Sequence, residues 1–208
     1  MDRRKYATAI DNDNIDELLI DYDDDEDLGA TYSNDGLCSI LAIPKTLLQA
    51  ASLTYTERLV LSYIGAHKNG CYRRQTTVAE NLGITRMSVY STLCSLENKG
   101  LLECKLEKNK ETFYAAFKTS EKKMQIFQVQ NDILRLATKT MSPKDKFVLA
   151  IIVRFIEKDL AFSYQHIGDI LGCRRSGVLN SIEKLQKSPS AVVRNMVKVY
   201  LKCRKNYP

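Results

Sequence analysis

The chain has 208 residues, 44% of them hydrophobic and 27% charged, with a net charge of +6. That length holds one or two domains with real cores, and no run of about 18 apolar residues suggests a membrane span. Six cysteines scattered without a CxxC fit a reduced cytoplasmic chain better than a disulfide framework.

The charge is unevenly spread. Residues 1–36 carry 12 acidic and 3 basic side chains, net −9, whereas residues 37–208 carry 28 basic and 13 acidic, net +15. The leading stretch lacks the apolar core of a secretory signal. Its acidic runs, Asp11–Asn14 and Asp21–Asp27, predict a disordered tail over residues 1–36. Such a tail is either a solvated appendage, a competitor with DNA for the basic body, or a docking segment for a protein partner. A calcium loop starting at Asp21 fails, because Glu26 stands where glycine is needed and Tyr32 where glutamate is needed.

The folded part is expected to comprise two units, residues 37–120 and 121–208. Leu37, Ile40, Leu41 and Ile43 form an apolar run that Pro44 ends, and Leu47-Leu48 start a short helix. A first scaffold helix spans Thr56–His67, capped by Thr56, with a stripe of Leu59, Val60, Tyr63 and Ile64. Arg73-Arg74 then precede a helix marked by a Thr77/Glu80 capping box, where backbone amides and two arginines suit a phosphate. Leu82-Gly83 ends that helix, and Thr85 caps the next one. There Val89, Leu93 and Leu96 form the apolar face, and Arg86, Ser88, Tyr90, Ser91 and Ser95 the polar one. Asn98-Lys99-Gly100 stops it, and Leu101–Leu106 and Thr112–Phe117 read as a β-hairpin.

Helix, tight turn, helix and hairpin is the layout of a winged helix-turn-helix. Leu82-Gly83-Ile84-Thr85-Arg86, Val89, Leu93, Leu96-Glu97 and Lys99-Gly100-Leu101-Leu102 resemble the winged helices of MarR- and GntR-type regulators. Ile43–Leu48 and Leu53–Leu61 are similar to helix-turn-helix domains of phage and plasmid replication proteins. Both resemblances imply DNA binding.

After a charged linker, Lys118–Lys123, the second half repeats the first. Thr56–Ile64 aligns with Lys144–Ile152 at an offset of 88, and Thr77–Lys99 with His166–Ser188 at 89. Leu41–Leu48 aligns with Phe127–Leu134 at 86. The shared apolar skeleton predicts two copies of one fold. The second copy lacks Gly-Leu-Leu after its second helix. Ser188-Pro189-Ser190 instead reads as a helix start with proline at N1, leading a stripe of Val192, Val193, Met196, Val197, Tyr200 and Leu201. Its β-branched content leaves a strand or degenerate wing open.

The fold class expected is therefore mainly α with small β-hairpin wings: two winged helix-turn-helix domains in tandem behind the acidic tail. Arg86 is placed to fork onto guanine or to meet a phosphate; Arg175 holds the matching place, beside Arg174 and Asn180. Thr85, Ser88, Tyr90 and Ser91 share the first reading face. Arg73, Arg74, Lys105, Lys108 and Lys110 are phosphate candidates. His67 and His166 are lone, His67-x3-Cys71 is too small for a zinc site, and no catalytic constellation appears, so neither metal, cofactor nor enzymatic activity is expected. The expectation is a sequence-specific binder of double-stranded DNA, cytoplasmic and nucleoid-associated, controlling transcription. The alternatives are a phage or plasmid replication initiator on origin repeats, and a protein-binding adaptor. Two linked reading heads suit two half-sites one helical turn apart; a homodimer suits a longer palindrome.

Overall fold

The structure, a computed structural model, describes residues 20–23, 40–67, 70–107, 110–116, 123–135, 141–158 and 163–205. These are mainly helical, with two small antiparallel sheets. In chain order they are β1 (Ile20–Asp23), β2 (Ile40–Pro44), α1 (Lys45–Leu48), α2 (Tyr55–Gly65), α3 (Gln75–Leu82), α4 (Arg86–Asn98), β3 (Leu102–Glu107), β4 (Lys110–Ala115), β5 (Lys123–Gln130), α5 (Asn131–Arg135), α6 (Pro143–Glu157), α7 (Tyr164–Leu171), α8 (Arg175–Gln186) and α9 (Ala191–Lys205).

α2 and α6 are the centre. Each opens with a reciprocal cap. The Thr54 hydroxyl accepts from the Glu57 amide at 3.2 Å, and the Glu57 carboxylate accepts from the Thr54 amide at 2.7 Å. Ser142 and Asp145 repeat this at 3.2 and 3.1 Å. The helix therefore starts ahead of the expected cap at Thr56: Thr54 is the residue that stands three before a glutamate, which the box requires. α2 buries every residue from Glu57 to Ile64, and α6 every residue from Asp145 to Ile152. The expected stripe widened to a whole cylinder because each helix packs on its own half and also on the other, as runs that are apolar all round require. Tyr55 and Phe147 meet across this junction, ring centroids 5.9 Å apart.

The halves also share a sheet, in the order β1-β5-β2. Leu41 lies opposite Val129, Ala42 opposite Gln128 and Ile43 opposite Phe127. Under the repeat alignment Leu41 is the equivalent of Phe127 and Ile43 of Val129. Exchanging the two strands thus returns the same pairing, so a local two-fold axis passes through the Ala42–Gln128 pair. All four apolar residues are buried.

Two buried cations occupy equivalent places about that axis. Arg58 donates to Leu48 O at 2.6 Å and to Leu171 O at 2.8 Å. Lys146 donates to Leu134 O at 2.5 Å, to Gly83 O at 2.5 Å and to Leu82 O at 3.1 Å. Each cation therefore holds the carbonyl end of a short helix in its own half and of a longer helix in the other. Positive charge suits those ends, where the helix dipole is negative. Burial lowers the pKa of Lys146 to about 8.

Several expectations change. Ile20–Asp23 was expected within a disordered tail but forms β1, antiparallel to β5, with Ile20 opposite Ile126; the rest of residues 1–36 lies outside the described residues. Lys123, assigned to the linker, begins β5. The Thr77/Glu80 box is absent: α3 starts at Gln75 with Arg74 at the N-cap and no side-chain cap, so Thr77 is already inside the helix. Pro189 stands before the last helix rather than at N1, since Ser190 accepts from the Val193 amide at 3.4 Å and the helix begins at Ala191. In the second half that helix replaces the hairpin: Val193, Val197 and Tyr200 bury against α6 and α8. Among the described residues there is one hairpin, not two.

Candidate nucleic-acid interface

The first candidate unit is built from α3, a tight turn and α4. Gly83 ends α3 at φ 56°, ψ 46°, a left-handed conformation that glycine adopts without strain. It has a second reason to be glycine: a Cβ there would lie 2.1 Å from Leu134 O and 2.6 Å from the Lys146 ammonium. Ile84 N bonds Ala79 O at 3.0 Å and closes the turn. The Thr85 hydroxyl accepts from the Ser88 amide at 3.1 Å and meets the Ser88 hydroxyl at 2.8 Å, which is the N-cap expected there.

α4 then turns Val89, Leu93 and Leu96 into the core. Arg86, its first residue, is exposed, as are Tyr90 and Ser91. Ser88 is half-buried and Ser91 bonds back to Ser88 O at 3.2 Å, so both hydroxyls are partly engaged by the helix itself. Met87 was missed by the sequence reading. It is 71% exposed and lies three and four residues before Tyr90 and Ser91, on the same stripe. An outward methionine on a helix start is the detectable signal, masked by the habit of assigning methionine to cores.

The hairpin stands beside this unit, with Leu102 and Phe113 buried at its base. Cys71 joins the hairpin's outer edge by a single β-bridge, with paired bonds to Phe113 at 2.8 and 2.9 Å. This brings Tyr72, Arg73 and Arg74 to the hairpin's flank. Arg73 lies 5.8 Å and the Lys110 ammonium 5.9 Å from the Tyr72 ring, both within cation–π range. Tyr72 is 57% exposed and was also missed; its signal was an aromatic directly before two arginines. Lys105 lies 5.3 Å from the Tyr114 ring but pairs with Glu103 at 3.3 Å, which discounts its charge. Lys108 lies outside the described residues.

The second candidate unit repeats the geometry with different chemistry. Gly172 takes φ 61°, ψ 40° at the end of α7, and a Cβ there would lie 3.0 Å from Gln49 O, in the other half. Arg174 occupies the N-cap of α8 with no side-chain cap, and Arg175 is its first residue. Both are exposed, as is Asn180, the equivalent of Ser91. Lys144 reaches over the start of α8, where a Cβ on Gly177 would lie 2.3 Å from its ammonium. This basic residue was likewise not anticipated.

No protein-family model, curated protein or solved structure matches the chain. Its chemistry has to be read from these side chains. The structure gathers Arg73 and Lys110 around Tyr72, and Arg86, Met87, Tyr90 and Ser91 along α4. Arg174, Arg175, Asn180 and Lys144 gather separately at α8, in the other half. His67 is tied to Tyr63 O at 2.8 Å, and burial lowers its pKa. No metal-holding cluster occurs among the described residues, and none of their helices is long and apolar enough to cross a membrane.

Proposed function

We propose that the chain is a sequence-specific double-stranded DNA-binding protein built from two helix-turn-helix units, the first winged and the second closed by α9 instead. The observation that carries this reading is the pair of equivalent exposed helices, each entered through a left-handed glycine and each beginning with an arginine, Arg86 and Arg175. A recognition helix presents its N-terminal residues to the major groove, and arginine there forks onto guanine O6 and N7. Met87 and Tyr90 suit thymine methyl groups, and Asn180 suits adenine. The net charge of +15 on residues 37–208 supplies the counterion-release component of affinity.

Control of transcription by operator occupancy is the process this arrangement suits. A replication initiator is the second reading, favoured by the leading segments that are similar to phage and plasmid replication proteins, which form β2, α1 and α2 here. Selection from a random duplex library at about physiological salt tests both. The expected product is a motif with two unlike half-sites about one helical turn apart. Iterated copies of that motif at one genomic locus would favour the initiator. No enrichment, with retention at low salt alone, would overturn sequence-specific reading.

A further inference from the structure

We infer that Arg58 and Lys146 are positioning residues that set the separation between the two reading helices, and hence the half-site spacing the protein accepts. This rests on the DNA-reading proposal and deepens it.

Each cation acts on the other half's reading unit. Lys146 holds Leu82 O and Gly83 O, the end of α3 and the turn that leads into α4. Arg58 holds Leu171 O, the end of α7 that leads into α8. Their remaining partners anchor them at home: Leu134 O for Lys146, and Leu48, Ala50 and Leu53 carbonyls for Arg58. Helix ends usually find their partners locally, in the residues that follow. Here the partners lie 63, 64 and 113 positions away in the chain, so the bonds fix one unit against the other.

The surroundings tighten the same joint. Gly83 abuts Leu134 O, and Gly172 abuts Gln49 O. Arg135 donates to Asn81 Oδ1 at 3.2 Å, and Asn81 donates to the Tyr63 hydroxyl at 2.8 Å, joining α5 to α3 and α2. Both cations are buried, Arg58 at 3% and Lys146 at 0% exposure. A flexible joint would let two heads adapt to many spacings, whereas a fixed one delivers avidity at a single spacing. Two buried side chains reaching across the joint in opposite directions make it fixed.

The test uses the full chain and duplexes carrying the selected two-half-site motif, with the central spacer unchanged or altered by one or two base pairs. Wild type should lose at least about tenfold in affinity when the spacer changes, because the second head no longer engages. Lys146→Met should retain affinity for a single half-site but lose most of that spacing penalty. Arg58→Lys, which keeps a cation and shortens its reach, should relax the penalty in the same direction and is the milder variant should Lys146→Met fail to fold. Uniform weakening at every spacing, or an unchanged penalty in a folded variant, would overturn the inference and assign the cations to stability alone. A wild type that binds the motif but ignores its spacing would also overturn it, with DNA reading intact. A wild type that binds no duplex would remove both.

Discussion

The Glu57 carboxylate meets the Lys99 ammonium at 2.7 Å, tying the first turn of α2 to the C-terminal end of α4. Ser95 donates to the same carboxylate oxygen, also at 2.7 Å. Burial alone would raise this carboxyl's pKa. The bonds from Lys99, the Thr54 backbone and the Ser95 and Thr54 side chains outweigh it and hold the pKa at about 2. The pair fixes how α4 lies on the central helix.

An acid-dependent loss of stability is expected from that pair. The folded pKa lies below the ordinary value of 4.5, so the stabilisation is fully present above pH 4.5 and is lost as pH falls toward 2. Glu57→Gln should cost roughly 1–3 kcal/mol at neutral pH, because the charge-assisted bonds made by this buried carboxylate are lost. It should also flatten the stability profile between pH 4.5 and 2. Urea titrations at stepped pH would check it; parallel profiles for wild type and variant would exclude the pair as the acid-sensitive element.

Gly83 and Gly100 offer a matched comparison. Both have positive φ, 56° and 67°, but a Cβ at Gly100 meets nothing within 4 Å, whereas at Gly83 it strikes backbone in the other half. Gly100→Ala should cost about 1 kcal/mol, from the left-handed conformation alone. Gly83→Ala should cost several-fold more, or prevent folding, because the joint between halves must open as well. Equal thermal shifts would mean that the approach of Gly83 to Leu134 is not a tight constraint.

Arg86 and Lys110 should separate by kind of effect. Arg86→Ala should cost roughly 1–3 kcal/mol on the best duplex and relax preference at one base pair, whereas Lys110→Ala should weaken all sequences alike and lower the salt slope by about 1. Affinities on matched and mismatched duplexes at several salt concentrations would show this. Identical, sequence-independent losses would remove Arg86 from base reading.

Tyr72 should act through the cations beside it. With Arg73 and Lys110 both within 6 Å of its ring, Tyr72→Ala should weaken duplex binding at all sequences, while Tyr72→Phe, which keeps the ring face, should stay within about twofold of wild type. Equal loss in both variants would transfer the effect to the hydroxyl.

Much of this architecture was legible because it is written in local patterns. The glycines at 83 and 172, the Thr85 cap and the apolar faces of α4 and α8 follow from spacing alone, and the repeat revealed that the halves match. What spacing could not reveal is how the matched halves meet. Arg58 and Lys146 stand at the polar starts of their helices, ahead of the apolar runs, and nothing local says that their partners are carbonyls in the opposite half. The Ile20–Asp23 strand was hidden for a similar reason: an acidic stretch pairs through backbone groups, which composition does not report. Among the exposed candidates, the arginines stood out by their position in the sequence, whereas Met87 and Tyr72 were passed over because their types usually signal packing.

The pairing of β2 with β5 has a consequence for assembly. Two separate subunits joined through such strands would come apart on dilution, but here both strands belong to one polypeptide, so their meeting is independent of protein concentration. Covalent linkage also frees the two halves from having to remain identical. One keeps its hairpin and the other ends in α9; one presents methionine and tyrosine where the other presents serine and leucine. A symmetric pair of identical chains must read the same sequence twice. On the proposed DNA-binding function, a single chain with an internal axis is free to read two different ones.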